Sequence, residues 1–283
     1  METRELRYFV AVAEELHFSR AAQRLGIAQP PLSRAISQLE RRLGVPLLER
    51  SNRSVTLTEA GAVLLHEGRA ALDAMEAAEE RTRRVARAAA GQAGIVLATK
   101  AGASSELLAK LLHAYGAEPG SVHVEVLLCG PGQQERLLRT GRADVAVLHH
   151  PFDDTAGLDV EELHTEGQVA VLPAGHPLSA KDQLHLDDLT DVPELPLARW
   201  PSAADGTYPD GPGPEVESHS QLLQLISLGR TLMVAPESCR SQLHDDLVAV
   251  PVVDAPRVTT VIAWPPHSRS RPVADLVRTA LRL

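Results

Sequence analysis

The segment from Phe18 to Leu39 constrains the fold more than any other stretch, because it places two short helical patterns on either side of one turn. Ser19 is a suitable N-cap for the first helix, and apolar residues follow it at helical spacing. Gly26 permits a tight turn, and Pro31 is suited to open a second helix. Two short helices joined in this way are typical of a helix-turn-helix.

The outward face of the second predicted helix has the composition of a surface that reads DNA. Leu32, Ile36 and Leu39 point inward, which leaves neutral and basic side chains opposite them. Such side chains donate to phosphates and base edges in a major groove. The candidate DNA-contacting residues of the two helices are Ser19, Gln29, Pro30, Pro31, Ser33, Arg34, Ser37 and Gln38. The alternative is a solvated face on an ordinary helical hairpin, but an acid-free face in register with the turn favours DNA binding.

Two further patterns flank this helix pair. Residues from Leu6 to Ala13 are apolar at helical spacing, which predicts a helix packed on the pair. The stretch Gly44–Thr58 predicts two short strands around a Ser-Asn-Arg-Ser tip, which together form a wing. Arg50 and Arg53 on the wing can reach phosphates or a neighbouring minor groove, with simple solvent exposure as the alternative.

Charge is distributed unevenly over the 283 residues, a length that suggests two domains. Residues Met1–Thr58 contain 9 Arg and 6 Glu, for a net charge of +3. From Gly91 onward, 14 Lys or Arg stand against 25 Asp or Glu, for a net charge of −11. This contrast predicts local contact with DNA by the first segment, while the acidic remainder is kept away from it.

A long helix is predicted after the wing, with Thr58 as its N-cap. Its small and apolar residues alternate by four and three, which is an unbroken heptad spacing. The positions of this seam are Leu64, Gly68, Ala71, Met75, Ala78, Thr82, Val85 and Ala89. The seam indicates a dimer, because two copies of a reading helix supply two half-sites, and packing on the chain's own second domain is the alternative.

After an Ala- and Gly-rich boundary at 88–94, the pattern alternates between strands and helices, which predicts an α/β domain in two lobes. The predicted strands are Ile95–Thr99, Val122–Leu128, Asp144–Leu148, Val169–Leu172, Leu232–Ala235 and Thr259–Trp264. The predicted helices are Leu107–Tyr115, Gln133–Thr140, Leu222–Leu228 and Val273–Leu281.

The sequence carries no motif of catalysis or cofactor binding. Gly130-Pro131-Gly132 follows a strand but lacks the third glycine of a dinucleotide site, and there is neither a nucleophile elbow nor a phosphate loop. Cys129 and Cys239 are too far apart to form a metal-ligand pair or a disulfide framework, which favours a reducing compartment. Charges in the first twenty residues argue against a signal peptide, and no apolar run reaches membrane-spanning length. We therefore expect a cytoplasmic protein, not an enzyme, without cofactor, metal or membrane partner.

Taken together, the chain resembles a LysR-type transcriptional regulator along its whole length. The matching segments are Leu6–Ala13, Phe18–Glu40, Leu43–Arg50, Leu57–Gly61, Gly141–Val147, His176–Leu178 and Leu247–Pro251. The resemblance implies an α+β protein with an N-terminal winged helix-turn-helix (1–58), a linker helix for dimerisation (59–90) and a C-terminal two-lobed α/β domain (91–283) similar to periplasmic binding proteins. Lobe I is expected to comprise about 91–162 plus 265–283, and lobe II about 163–264.

The resemblance also implies partners and sites. The expected partners are double-stranded promoter DNA, bound as a dimer or tetramer, a small-molecule effector, and RNA polymerase as a further candidate. Gln29, Pro30, Ser33, Arg34 and Gln38 match the positions that contact DNA in this family. The effector is expected in the cleft between the lobes, outside the carboxyl ends of the strands, where backbone N–H groups at helix starts favour an anion. The candidate effector-binding residues are Thr99, Lys100, Gly102, Ala103, Ser104, Gly130, Pro131, His149, Arg199, Trp200 and Ser202.

Two departures from the family pattern affect this cleft. Residues 203–214 form a Pro- and Gly-rich loop where the family has a helix and a longer connection, and Thr231 stands where the family repeats glycine. The pocket is therefore either altered or no longer binds a ligand. The alternative function is a constitutive or partner-controlled DNA-binding regulator, whereas a free-standing solute receptor is disfavoured by the intact DNA-binding segment.

Overall fold

The computed structural model describes residues 1–50, 54–91, 94–190, 192, 194–199, 211–266 and 268–283. The chain divides into two compact units, Met1–Arg81 and Thr82–Leu283. The helix α4, Glu59–Ala89, contributes residues to both units.

The first unit is built on three short helices that share one core. These are α1 (Thr3–Glu15), α2 (Phe18–Arg24) and α3 (Gln29–Leu43). Apolar residues that recur at helical spacing on each helix meet in the centre, and Phe9, Leu32, Ile36 and Leu39 are fully buried there. The predicted helix-turn-helix and its preceding helix are confirmed.

A two-stranded wing follows, as the sequence predicts. Strands β1 (Leu48–Arg50) and β2 (Val55–Leu57) pair antiparallel, with Leu48 opposite Leu57. The Thr58 hydroxyl accepts a hydrogen bond of 2.9 Å from Gly61 N and so caps α4, as expected. Glycine is required at position 61, because a Cβ there would lie 2.0 Å from the Leu47 carbonyl oxygen.

The helix starts differ from the sequence-based expectation. The N-cap of α2 is His17, whose Nδ1 accepts a hydrogen bond of 3.4 Å from Arg20 N, so Ser19 is an exposed residue of the first turn. Helix α3 begins at Gln29, two residues before Pro31. Proline is tolerated there because the first N–H groups of a helix have no intrahelical partner.

The heptad seam of α4 is divided between two environments. Gly68 packs on α1, where an added Cβ would approach Leu6 Cδ1 to 2.8 Å, and Leu64 packs on the core of the first unit. The later seam positions are exposed, including Met75 at 42% and Val85 at 71%. The exposed part of the seam is therefore Ala71–Ala89 and not the whole predicted stretch.

The second unit contains two sheets. The strands are β3 (Gly94–Lys100), β4 (His123–Cys129), β5 (Val145–His150), β6 (Asp159–Glu166), β7 (Gln168–Pro173), β8 (Met233–Pro236), β9 (Leu247–Val252) and β10 (Val258–Trp264). The helices are α5 (Ser105–Gly116), α6 (Gln134–Arg139), α7 (Asp187–Thr190), α8 (His219–Ser227) and α9 (Arg271–Ala280), and short 3₁₀ helices cover Pro177–Ala180 and Glu237–Gln242.

The five-stranded sheet has the order β4-β3-β5-β10-β6, and the three-stranded sheet has the order β8-β7-β9. We call them and their helices the large-sheet lobe and the small-sheet lobe. In the large-sheet lobe, α5 and α9 pack on one face and α6 on the other. Strand β3 is parallel to β4 and β5, so their carboxyl ends share one edge of the sheet.

The predicted lobe boundaries are wrong for two strands. Strand β10 pairs antiparallel with β5 and β6 in the large-sheet lobe, although the sequence-based division put residues 163–264 in one lobe. That division also cuts through β6. The sequence analysis predicted neither β6 nor β9 as a strand. Most residues of β6 are exposed and several are acidic, so the alternation that identifies a half-buried strand is lacking.

Arg84 fixes the end of α4 to the large-sheet lobe. Its guanidinium donates to the carbonyl oxygen of Gly141 at 2.8 Å and forms a close ion pair with the carboxylate of Asp144. The other oxygen of Asp144 accepts a hydrogen bond of 2.8 Å from Val96 N. Burial raises the pKa of Asp144 despite these partners. Arg84 thus contacts the segment before β5 directly, and Asp144 joins that segment to β3.

Candidate DNA interface and effector cavity

The exposed face of α3 brings the predicted DNA-contacting residues together. Gln29, Pro30, Pro31, Arg34 and Gln38 are exposed. The remaining two candidates on this helix, Ser33 and Ser37, are half-buried. Within the described chain no hydrogen bond or ion pair engages Arg34, so its guanidinium is available to a ligand outside the protein. Arginine donors on such a helix match the acceptors of guanine and of phosphate.

Most other arginines of this unit are held by acidic neighbours. Arg24 lies 2.7 Å from Glu14, and Arg42 lies 2.6 Å from Glu5. The hydrogen bond from Arg42 lowers the pKa of Glu5 to about 2. These pairs join helices of the unit to one another, which distinguishes them from Arg34 on the exposed face.

Arg50 has a structural role that the sequence did not reveal. Its guanidinium lies 2.9 Å from Glu40 of α3 and 4.9 Å from the centre of the Phe18 ring. Glu40 also accepts hydrogen bonds from the backbone N–H groups of Leu47 and Leu48. Arg50 therefore braces the wing against α2 and α3, and its contact with DNA stays a prediction. Arg53 lies outside the described residues.

A cavity of about 380 Å³ lies between the two lobes, at the carboxyl ends of β3, β4 and β5. Seven of the predicted effector-binding residues line its large-sheet side: Lys100, Gly102, Ala103, Ser104, Gly130, Pro131 and His149. The small-sheet side contributes residues that the sequence analysis did not select, among them Leu197, Ala198, Glu217, His219, Met233 and Cys239. No shared sequence pattern marks these residues as lining a cavity, because they come from strand ends and connections.

Two predicted residues point away from the cavity, and two cannot be placed. Thr99 is buried beside Lys100 but does not line the cavity, because successive strand residues face opposite sides of the sheet. Arg199 lies 3.1 Å from Glu215 on the outside, while its neighbour Ala198 faces inward. Trp200 and Ser202 lie outside the described residues.

A buried polar cluster forms the floor of the cavity. Lys100 Nζ lies 2.8 Å from Asp153 Oδ2, which also accepts a hydrogen bond of 2.8 Å from His149 N. The His149 ring lies between Asp153 and Ser104, with its Nδ1 3.8 Å from Asp153 Oδ2 and its Nε2 2.9 Å from the Ser104 hydroxyl. Burial opposes ionisation of Asp153, but its contacts with His149 and Lys100 outweigh that effect and lower its pKa.

Asp153 is the main site residue that the sequence analysis missed. Its backbone N–H donates to the His149 carbonyl oxygen, so the turn after β5 returns the carboxylate toward β3. No motif marks this turn. Lys100 was the one available indication of an acidic partner. It follows a predicted buried strand, and a buried ammonium group requires an acidic partner.

Burial favours the uncharged forms of the imidazoles and thiols that line the cavity. Burial lowers the pKa of His149 and of His219, which favours neutral imidazoles. Burial also raises the pKa of Cys129 to about 11 and that of Cys239 to about 12, so both thiols stay protonated and weakly nucleophilic. Among the described residues, no three His, Cys, Asp or Glu side chains are grouped as metal ligands.

Helices α5 and α8 both begin at the cavity. Ser104 precedes α5 with a positive φ of 51°, and its hydroxyl is directed to His149 and does not cap the helix. Ser218 caps α8 by accepting a hydrogen bond from Gln221 N. Gly102 allows His219 to pack across the cleft, since a Cβ at position 102 would lie 2.5 Å from that ring.

The chain matches two family models that together cover most of its length. Residues 3–62 match the model described as the bacterial regulatory helix-turn-helix protein of the lysR family. Residues 89–283 match the model described as the LysR substrate binding domain. The chain belongs to the LysR family of transcriptional regulators.

Named LysR relatives support this membership. AlsR of Bacillus subtilis is 34% identical over 258 residues, which cover 87% of this chain and 84% of AlsR. BenM of Acinetobacter baylyi is 32% identical over 273 residues, which cover 92% of this chain and 88% of BenM. The solved structure of full-length CbnR complexed with its target DNA is 27% identical with a TM-score of 0.53, and the match covers 100% of this chain and 99% of CbnR.

These matches confirm the family and the fold class predicted from the sequence. This LysR-family chain is a DNA-binding transcriptional regulator with a substrate-binding domain, and not an enzyme. Among the described residues, no helix has the length and apolarity needed to span a membrane.

The Lys100–Asp153 pair predicts a specific effect on stability. Replacing Lys100 with Met removes the cationic partner of a buried carboxylate, so we expect Lys100→Met to lower the free energy of unfolding of the substrate-binding domain by about 3–5 kcal/mol. Adding Asp153→Leu should restore most of that loss. Urea unfolding followed by tryptophan fluorescence measures this domain selectively, because Trp200 and Trp264 are the chain's two tryptophans.

The matched control is Lys110→Met, which removes an exposed ion pair with Glu106. Exposed pairs contribute about 0–1 kcal/mol, so this variant should unfold close to the wild type. Equal losses for Lys100→Met and Lys110→Met would show that the buried pair is not a major stabilising contact.

Proposed function

We propose that this LysR-type regulator binds promoter DNA as a dimer or tetramer and that a small anionic effector in the cavity alters that binding. The observation that carries the proposal is the exposed, acid-free face of α3, on which Arg34 has no partner among the described residues. Genome-wide mapping of the bound DNA, followed by gel shifts on the recovered sites, tests it. Recovery of no specific sites would contradict the proposal.

Paired binding is supported by the exposed part of the α4 seam. One reading helix contacts few base pairs, whereas two copies related by a two-fold axis contact two half-sites. Small residues along Ala71–Ala89 allow close approach of a second helix. Binding at promoters also places the protein beside RNA polymerase, which we propose as a further partner in the cytoplasm.

An anionic effector is supported by the starts of α5 and α8. Backbone N–H groups at a helix start have no intrahelical partner and carry the positive end of the helix dipole. Residues 102–104 and 217–219, which adjoin these starts, line the cavity. Lys100 adds a cation at the floor, although Asp153 already neutralises it.

A constitutive or partner-controlled regulator is the second candidate. It is favoured by the internal pairing of Lys100 and by the shortened 203–214 segment, which lies largely outside the described residues. Thr231, the other departure, is buried and donates a hydrogen bond of 2.7 Å to the Pro196 carbonyl oxygen, so its role there is structural. This candidate would be supported if the protein binds its operator tightly and no small anion changes that affinity.

Arg34 should contribute to sequence recognition. We expect Arg34→Ala to weaken specific operator binding by about 1–3 kcal/mol and to relax the base preference at one position of each half-site, if the guanidinium contacts a base. Gel shifts on the operator and on single-base variants measure both effects. Arg42→Ala is the control on the same helix, because Glu5 already holds that side chain, and it should change affinity little. Unchanged affinity and base preference in Arg34→Ala would reject the assignment.

Val85 should lie in the contact between two copies. We expect Val85→Glu to shift the protein toward smaller species and to reduce operator affinity, because it places a charge on the seam of α4. Sedimentation velocity measures the oligomeric state. Val63→Glu makes the same chemical change at an exposed position of α4 outside the seam, and it should leave the assembly intact. Identical sedimentation of both variants and the wild type would contradict this role of the seam.

A further inference from the structure

A serine, a histidine and an aspartate follow one another at the floor of the cavity. The Ser104 hydroxyl lies 2.9 Å from His149 Nε2, and His149 Nδ1 lies 3.8 Å from Asp153 Oδ2. Ser104 and His149 line the cavity, whereas Asp153 is buried and does not line it. A hydroxyl, an imidazole and a carboxylate in this order form the arrangement that activates a serine as a nucleophile.

Asp153 favours the tautomer of His149 that a general base requires. Despite its burial, Asp153 has a lowered pKa through its contacts with His149 and Lys100, so its carboxylate is ionised. The 3.8 Å separation from His149 Nδ1 is longer than a hydrogen bond, so the interaction is electrostatic. A negative charge that faces Nδ1 favours the proton on that nitrogen, which leaves the lone pair of Nε2 to accept the Ser104 proton. Burial lowers the pKa of His149, so the ring is neutral, as a base must be.

The backbone at Ser104 has the form of a turn that presents a nucleophile. Ser104 lies between β3 and α5 with a positive φ of 51°, and Gly102 stands two residues before it. The nucleophile elbow of serine hydrolases combines the same strand, strained turn and helix with a glycine at this spacing. Glu106 stands where that motif has its second glycine, so the sequence pattern alone does not reveal the turn.

Two thiols also line the cavity, but their protonation disfavours them as nucleophiles. Burial raises the pKa of Cys129 to about 11 and that of Cys239 to about 12. The thiolate is the reactive form of cysteine, so both side chains react slowly at neutral pH. Ser104 is therefore the favoured nucleophile of the cavity.

The surroundings of the triad limit which compounds can react. Burial, and then the charge of Lys100, disfavour the imidazolium form that His149 takes when it accepts a proton. The reaction therefore requires a compound with a good leaving group. Leu128 and Met233 are apolar walls of the cavity, which suits a short apolar acyl chain.

We propose that Ser104 is a nucleophile that accepts an acyl group from an activated ester or thioester with a short apolar acyl chain. Ser104 Oγ attacks the carbonyl carbon while its proton passes to His149 Nε2. The bond from the carbonyl carbon to the leaving oxygen or sulfur then breaks, and His149 returns the proton to that atom. The products are an ester of Ser104 and a free alcohol or thiol. This single covalent modification of a regulator requires no turnover, and it goes beyond the proposed function.

The probe that tests this inference is 4-nitrophenyl butanoate, which combines a good leaving group with a short apolar acyl chain. It is added to the full-length protein, and peptide mapping by mass spectrometry locates the butanoyl group. We expect the group on Ser104, at a rate about ten-fold or more above that of Ser105, the exposed serine next to it. Acylation confined to lysines or the amino terminus, or equal acylation of the two serines, would overturn the inference.

Matched variants separate an activated serine from one that is merely accessible. Ser104→Ala should lose the adduct, and Ser105→Ala should keep it. His149→Gln retains an acceptor for the Ser104 hydroxyl but cannot take its proton, so we expect acylation to slow by about a hundred-fold, since a general base contributes roughly 10²–10⁴-fold. Urea unfolding shows whether this variant is folded. An unchanged rate in folded His149→Gln would overturn the role of the base.

A fluorophosphonate gives a measurement that needs no variant, because such probes react with activated serines. We expect it to label Ser104 of the wild-type protein and not Ser105. Absence of label on Ser104 would overturn the inference, whereas gel shifts on the operator test the proposed function separately.

Discussion

The buried ion pair between Lys100 and Asp153 is the contact on which the arrangement of the cavity depends. It joins the carboxyl end of β3 to the turn after β5, and Asp153 in turn holds the backbone of His149. Without Asp153, Lys100 would be a free cation that favours any anion. With the pair formed, the fixed backbone dipoles at the starts of α5 and α8 supply positive potential at the cavity.

The same two strands connect the cavity to α4. At their carboxyl ends, β3 and β5 carry Lys100 and His149, and at their amino ends they contact Arg84 through Asp144 and the backbone of Val96. Helix α4 also contributes residues to the first unit, so it is the covalent connection between the proposed effector cavity and the proposed DNA reader.

The sequence predicted well the features that depend on local patterns. The helix pair, the wing and the Thr58 cap follow from periodicity and turn residues. Seven of the predicted effector-binding residues line the cavity, because they lie at or just after the carboxyl ends of strands. Long-range features were missed. Asp153 reaches Lys100 only through the fold, Arg50 is engaged by Glu40 of another element, and β6 lacks an apolar alternation because it is an exposed edge. The His17 cap was missed because Ser is the commoner choice at this position.

A nuclease footprint on a genomic operator tests the central claim, that occupation of the cavity controls the DNA reader. We expect the wild-type protein to protect two half-sites, and we expect this protection pattern to change when a small anion that binds the cavity is added at saturation. A wild-type footprint that the bound ligand leaves unchanged would contradict the account.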